Sequence, residues 1–516
     1  MTQTIAVVAL VIFSLSMLTI GLFSVRKTKT MDGFLLGNRN MGAWISAFAY
    51  GTSYFSAVVF IGYAGMHGWK IGIGSLWIGI GNAVVGCYLA WKLLAKRTRA
   101  MTHRLRASTT PEFLAERYDS TPMKLYAAII IFVFLVPYAA SVYKGLGVLF
   151  SAIFPGSSEI VCMAIVAVLT AVYLVLGGYV ATAINDFIQG IIMLAGVVLL
   201  VIAIVSRPEV GGIVSMFERL GAIEPSSVVP NGGAQLTNIW GGSSFQFLLT
   251  NILLTSIGVW GLPQMVHKYY TIGDDTQIKK ATVISTVFAL VIGIGAYLVG
   301  STGHLFLSAD ATGAPAVGYD NVIPTILMQA LTGNVWFNIL LSVIMLLLLS
   351  ASMSTLAAIV LSSSSAISVD LIKVVRPQVS QKKQMLIMRV LCFVFVALSF
   401  VFASLNISFI VNIMSFSWGV VAGSFIGPYI WGLYSKKVTR AGAWAGTLSG
   451  LVVVGVLLVV FSAVSGFEAA KALAPEFGVA AMAVSVLVVP IVSRFTKPLP
   501  SEHVESCFAS DAEKAA

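Results

Sequence analysis

Residues 43–67, AWISAFAYGTSYFSAVVFIGYAGMH, decide how the rest of this chain is read. At about 1.5 Å rise per residue the stretch is long enough to cross a bilayer. Its middle, Gly51-Thr52-Ser53-Tyr54-Phe55-Ser56, makes a poor helix centre, with a glycine and three small hydroxyl side chains around a tyrosine. Non-helical backbone survives at membrane depth only where protein or a water-filled cavity satisfies its polar groups. Two readings follow. Either the helix is discontinuous and its freed carbonyls line a binding site, or it is an unbroken span whose small residues admit close neighbours.

Composition agrees that this is a membrane segment. Of 516 residues 58% are hydrophobic and only 10% charged, a balance of polytopic membrane proteins. The net charge of +11 does not point to nucleic acid, because the charges sit in short clusters between apolar spans. The four cysteines, Cys87, Cys162, Cys392 and Cys507, have neither metal spacing nor a disulfide framework. The first apolar run lacks a basic leader and reads as a retained span rather than a signal peptide.

Apolar windows predict about thirteen transmembrane helices in an all-α polytopic fold. With the N-terminus outside, all Lys and Arg except Lys70, Lys144, Arg207, Arg219 and Lys471 fall in inside segments or at their helix edges. That asymmetry places the C-terminus in the cytosol. The count depends on an inside segment at 181–186, and the tail after Arg494 reads as disordered. No Walker loop, triad or acid–base set appears, so an enzyme is not expected.

A second span, 244–266, also breaks its pattern at Gly258-Val259-Trp260-Gly261-Leu262-Pro263. Interrupted helices at corresponding places in two halves point to a secondary-transporter site. The layout is then one extra helix and loop (1–42), five helices (43–206), an external loop (207–243), five inverted helices (244–434), two peripheral helices (435–494) and a tail (495–516).

Ala351, Ser354 and Thr355 share one helix face. Their hydroxyls and freed carbonyls offer oxygens to a small hard cation, or simply bond back to carbonyls of their own helix. Lys144 lies inside a span, where it meets a substrate carboxylate, replaces a cation or pairs with a structural acid. Asp186 attracts a departing cation or caps the next helix. Arg39 is at least a cytosolic anchor.

Seven stretches, GFLLGNRNMG (33–42), GTSYFSAVVFIG (51–62), GGYVATAINDFIQG (177–190), WGLPQ (260–264), NVIPTIL (321–327), MSTLAAIVLSSSSAISVDL (353–371) and GSFIGPYIWGLY (423–434), resemble the sodium/solute symporters with a LeuT-type core. The resemblance implies a 5+5 inverted repeat and one core sodium site. Its ligands would be the carbonyls of Thr52, Phe55 and Ala351 and the hydroxyls of Ser354 and Thr355. It also implies that Asp186 stands on the sodium exit route and that Arg39 matches an arginine important in proline carriers. Those carriers have an aspartate where this chain has Tyr54, whereas pantothenate carriers are similar to it there and at Gly261-Leu262-Pro263. Lys144 belongs to neither pattern.

The expectation is sodium-coupled symport of an organic acid, pantothenate or a proline-like amino acid by alternating access in the plasma membrane. Solute would lie against the breaks, contacting Ser53, Tyr54, Ser56, Lys144, Trp260 and Trp418. Its partners are then solute, sodium and lipid, with no nucleic acid and no obligate protein. The alternatives are a proton-coupled carrier in which Lys144 replaces an ion, and a membrane solute sensor.

Overall fold

A computed structural model describes residues 2–24, 30–405 and 407–508. Among these residues there is no strand, only the isolated bridges Met41–Ile272 and Ala309–Pro315. Eleven helices in the described residues are long and apolar enough to cross a membrane, not the thirteen expected. The difference has local causes. Helix runs from Val58 to Arg104 with a change of direction at Gly72 (φ 52°, ψ −130°) in place of a loop. Glu159–Val175 is too short to qualify alone.

The inside segment expected at 181–186 is helical instead. Helix Glu159–Val205 is interrupted at Gly178 (φ 52°, ψ −151°), a backbone state that glycine adopts without a Cβ penalty. One residue thereby redirects the chain without a polar loop, and Asp186 lies inside the following helix rather than at its cap. The tail reading also needs correction. Ser501–Phe508 is a helix that buries Val504 and Cys507, with the Cys507 carbonyl accepting from Arg104 at 3.3 Å. Residues 509–516 lie outside the described residues, as do Arg26, Lys27 and Lys29 of the first inside segment.

Helices with little amphipathic contrast suit a lipid environment, and their burial sorts them. Val335–Val375 and Ile410–Tyr434 are the most enclosed spans, whereas Thr4–Phe23 and Arg440–Ser465 turn most of their apolar surface outward. The enclosed pair therefore forms the centre against which both broken helices pack.

The first break follows Ala43–Tyr54. Phe55 is extended (φ −103°, ψ 109°), and helix resumes beyond Ala57. The second follows Phe245–Gly258, where Leu262 (φ −81°, ψ 121°) precedes a new start, Pro263–Thr271. Proline suits that first helical position because its missing N–H would be unpaired there anyway. A Cβ on Gly261 would lie 2.8 Å from the Ala422 carbonyl, so the second break presses directly on the central helix.

Backbone bonds join the two broken helices. Met41 N donates to Thr271 O (3.0 Å), and Gly273 N donates to Met41 O (3.1 Å). Ala43 N donates to Gln277 Oε1 (2.9 Å). The entry to the first broken helix is thus fixed to the end of the second.

Candidate functional site

The hydroxyl face of Val335–Ser365 meets the carbonyl end of Ala43–Tyr54. Ser354 Oγ donates to Thr52 Oγ1 at 2.7 Å, and Thr52 Oγ1 donates to Phe48 O at 2.9 Å. Thr355 Oγ1 lies 3.0 Å from Ala351 O, 3.1 Å from Thr52 O and 3.3 Å from Ser53 O. One hydroxyl proton serves one acceptor well, so this set holds more oxygen than its own protons need. The back-bond to Ala351 is made, and the same oxygen reaches the break. Helix ends leave carbonyls without helical donors, which is why Thr52 and Ser53 are available here. Thr52, Ala351, Ser354 and Thr355 converge in a fully buried cluster. Phe55 forms the break itself.

Just beyond, Ser352 Oγ accepts from Ala57 N (3.0 Å), and Ser56 Oγ accepts from Val58 N (3.2 Å), holding the restart of the helix. A closed cavity follows, walled by Tyr54, Ser56, Tyr138, Tyr297, Met414 and Trp418, with Asn82 and Thr255 at its polar side. Trp418 stacks on Tyr54 (centroids 6.5 Å) and meets Tyr138 edge-on (5.6 Å). Tyr54 Oη donates to Thr255 O (2.8 Å), and Thr255 Oγ1 donates to Asn82 Oδ1 (2.8 Å). The cavity's water-accessible volume is only about 10 Å³, so any solute must part these rings.

Of the expected solute contacts, this cavity brings together Tyr54, Ser56 and Trp418 but not Ser53, Trp260 or Lys144. Trp260 Nε1 is committed to Val85 O (3.1 Å), and the Ser53 carbonyl faces the oxygen cluster instead. Lys144 bonds Asp320 (3.2 Å) and the Ser408 carbonyl (2.6 Å) at a separate cavity near the loop that precedes Val322–Ala330. Of the three roles open to it, this geometry shows the ion pair. Sequence reading missed Asn82, Thr255, Tyr138 and Tyr297, whose polar side chains inside apolar spans were the available signal.

Asp186 is buried against Ser354, and Lys268 Nζ stands 3.8 Å from its Oδ2. Lys268, which counts as a loop cation by sequence, is itself buried. Arg39 donates to Ala107 O (2.8 Å), away from Asp186 contacts. Burial pushes its guanidinium below the usual arginine range, against the opposing pull of Asp32.

Two interrupted membrane helices, an oxygen cluster at one break and a closed cavity beside it define a secondary transporter. A family model, the sodium:solute symporter family, matches residues 34–450, and the chain belongs to that family. It is similar to the osmoregulated proline transporter OpuE of Bacillus subtilis (strain 168), 28% identical over 86% of this chain and 87% of that one. It is also similar to the sodium/proline symporter of Staphylococcus aureus (strain JH9), 27% identical over 97% and 94%. Among solved structures it is similar to a Na+-coupled sialic acid symporter in a substrate-bound outward-open state, with TM-score 0.76 and 19% identity over 96% and 98% of the chains. The fold is LeuT-like, sodium is the coupling ion, and the chain is a multi-pass membrane symporter of small solutes rather than an enzyme.

Proposed function

We propose that this protein carries a small organic solute, an organic acid, pantothenate or proline-like amino acid, inward across the plasma membrane with sodium. The observation that carries the reading is the meeting of the Ser354 and Thr355 hydroxyls with Thr52 and the Ser53 carbonyl at the first break. Hard cations favour such oxygen sets. Thr52, Phe55, Ala351, Ser354 and Thr355 supply the sodium ligands, and Tyr54, Ser56 and Trp418 contact the solute. Asn82 and Thr255 orient it.

Sodium ties the first broken helix to the Ser/Thr helix and so favours the state in which both ligands bind. The two groups of five helices, 43–206 and 244–434, act as inverted repeats that rock to expose the site to the cytosol. With the N-terminus outside and the C-terminus inside, the inside-negative potential favours ion release by about 2.3 kcal/mol per charge per 100 mV. Two relatives named for proline transport support an amino-acid-like solute.

The test is thermal stabilisation of the purified protein by a library of monocarboxylates, pantothenate, proline and other amino acids, in NaCl or KCl. A solute whose effect needs sodium, and is lost in Ser354→Ala/Thr355→Ala, is the expected result. A solute that stabilises equally in both salts overturns the assignment.

A further inference from the structure

Helix Ser501–Phe508 lies far in sequence from both breaks, and solute and sodium binding leave it without a task, yet it is docked rather than loose. Val504 and Cys507 share one helix face and are buried. The Cys507 carbonyl accepts from Arg104 Nη1 at 3.3 Å, a cation set where a helix end leaves carbonyls unpaired. His503 Nε2 lies 3.3 Å from the Arg117 carbonyl, and the Arg117 guanidinium stands 5.0 Å from the Phe508 ring. Glu505 meets Lys436 at 2.8 Å, both side chains exposed.

These contacts fall on two sides of a seam. Arg104 ends helix Lys96–Arg104, which is joined to the second broken helix, since Arg99 Nε donates to Ile272 O at 3.1 Å. Arg117 belongs to helix Thr110–Tyr118, which is fixed to the other side. Fully buried, Arg117 donates to Gly432 O (3.0 Å) and Ser435 O (2.8 Å), and Tyr118 Oη donates to Pro428 O (2.6 Å). Lys436 follows directly. The seam is also closed by Tyr434 Oη on Leu93 O (2.6 Å) and by a hydrogen bond between Thr98 and Tyr429. Helix Ser501–Phe508 touches both sides at once.

An element bonded to both sides of a seam resists their separation, and one held by few contacts opens locally at low cost. We propose that Ser501–Phe508 is an autoinhibitory strap across this seam, which holds the C-terminal face of the carrier shut and slows its opening to the cytosol. This rests on the reading that the site is exposed to the cytosol by rocking. The grip is small, so the strap delays opening without forbidding it.

The test is thiol labelling of Ser46→Cys by a membrane-impermeant reagent in inside-out vesicles, in a chain whose four native cysteines are replaced by alanine. Alanine at position 507 keeps the carbonyl that Arg104 uses. Ser46 is buried in the inner half of the first broken helix and its hydroxyl has no partner, so the reporter breaks no hydrogen bond. A stop after Pro500 is expected to raise the labelling rate about tenfold, as the loss of one charge-assisted hydrogen bond would. Arg104→Met in the full chain should do the same. Glu505→Lys should raise the rate in part, and Lys436→Glu/Glu505→Lys should return it toward its starting value. Should the truncated chain not be recoverable, Arg104→Met and the charge swap carry the test. Rates unchanged by these variants overturn the strap and leave the transport reading standing. So does an equal rise at an externally labelled Ser56→Cys, because the helix would then hold the whole fold together rather than one face. If the reagent reaches Ser46→Cys from outside but never from the cytosolic side in any variant, the rocking motion falls with the strap.

Discussion

Lys144 Nζ lies 3.2 Å from Asp320 Oδ2, and both Asp320 oxygens accept from Ile410 N at 3.3 Å. One carboxylate therefore joins three elements: helix Thr121–Ile153, the turn Tyr319–Asn321 and the start of Ile410–Tyr434. The last of these carries Trp418, a wall of the closed cavity.

Breaking that junction is expected to loosen the cavity on its Lys144 side. Lys144→Gln leaves a largely buried carboxylate without its ionic partner, at a cost of about 3 kcal/mol, and Asp320→Asn breaks the same pair at a lower cost because it also removes the buried charge. A cysteine at Ser56, in a background lacking the four native cysteines, should react faster with a membrane-impermeant thiol reagent in either variant. Equal labelling rates would separate the ion pair from cavity closure.

Acid should act on the same junction. Burial pushes the Asp320 carboxyl above the ordinary carboxylate range, although Lys144 pulls it down. As pH falls, Asp320 therefore loses its charge before a free carboxylate does, and the ion pair goes with it. The linkage to global stability has the opposite sign: the raised value favours the fold most below the ordinary carboxylate range and is lost as pH rises through the folded value. Labelling at Ser56→Cys should thus increase in mild acid, and Asp320→Asn should flatten that dependence.

Ser352→Ala is expected to orphan the buried Ala57 N–H, which now donates to Ser352 Oγ. An unsatisfied buried donor costs about 1–3 kcal/mol. Because Ala57 begins the outer half of the first broken helix, thermal unfolding should fall and the sodium-induced stabilisation should shrink together. A drop in stability with undiminished sodium response would confine Ser352 to packing.

Gly178→Ala is expected to destabilise by about 1–3 kcal/mol through backbone strain. The new Cβ would also lie 2.5 Å from Phe34 Cδ2. Removing the ring in Gly178→Ala/Phe34→Ala relieves the clash but not the dihedral, so thermal melting should show little recovery.

The first break was legible because glycine and hydroxyl residues interrupt an apolar run. The chain leaves helix at Phe55, towards the end of the segment 51–56. For Ser354 and Thr355 helical spacing showed only a shared face, and the sodium-ligand reading came from the family resemblance. What escaped was pairing across the bundle. Lys268 sits near other loop cations in the sequence, and only the tertiary path of Pro263–Thr271 carries it to Asp186. Lys144 announced an unusual charge but not Asp320, which lies in a loop between helices where an acid attracts no notice. The inside loop at 181–186 failed for a simpler reason, since Gly178 turns the chain by one dihedral pair.

The hydrogen bonds of Met41 with Thr271 and Gly273 give the transport cycle a mechanical constraint. Two rods pinned end to end cannot swing separately. On the proposed reading of Thr52 as a sodium ligand, a pull there reaches the end of the second broken helix as a rigid-body torque, without passing through the solute. A half-moved arrangement, with one break opened and the other not, has to break these two bonds first.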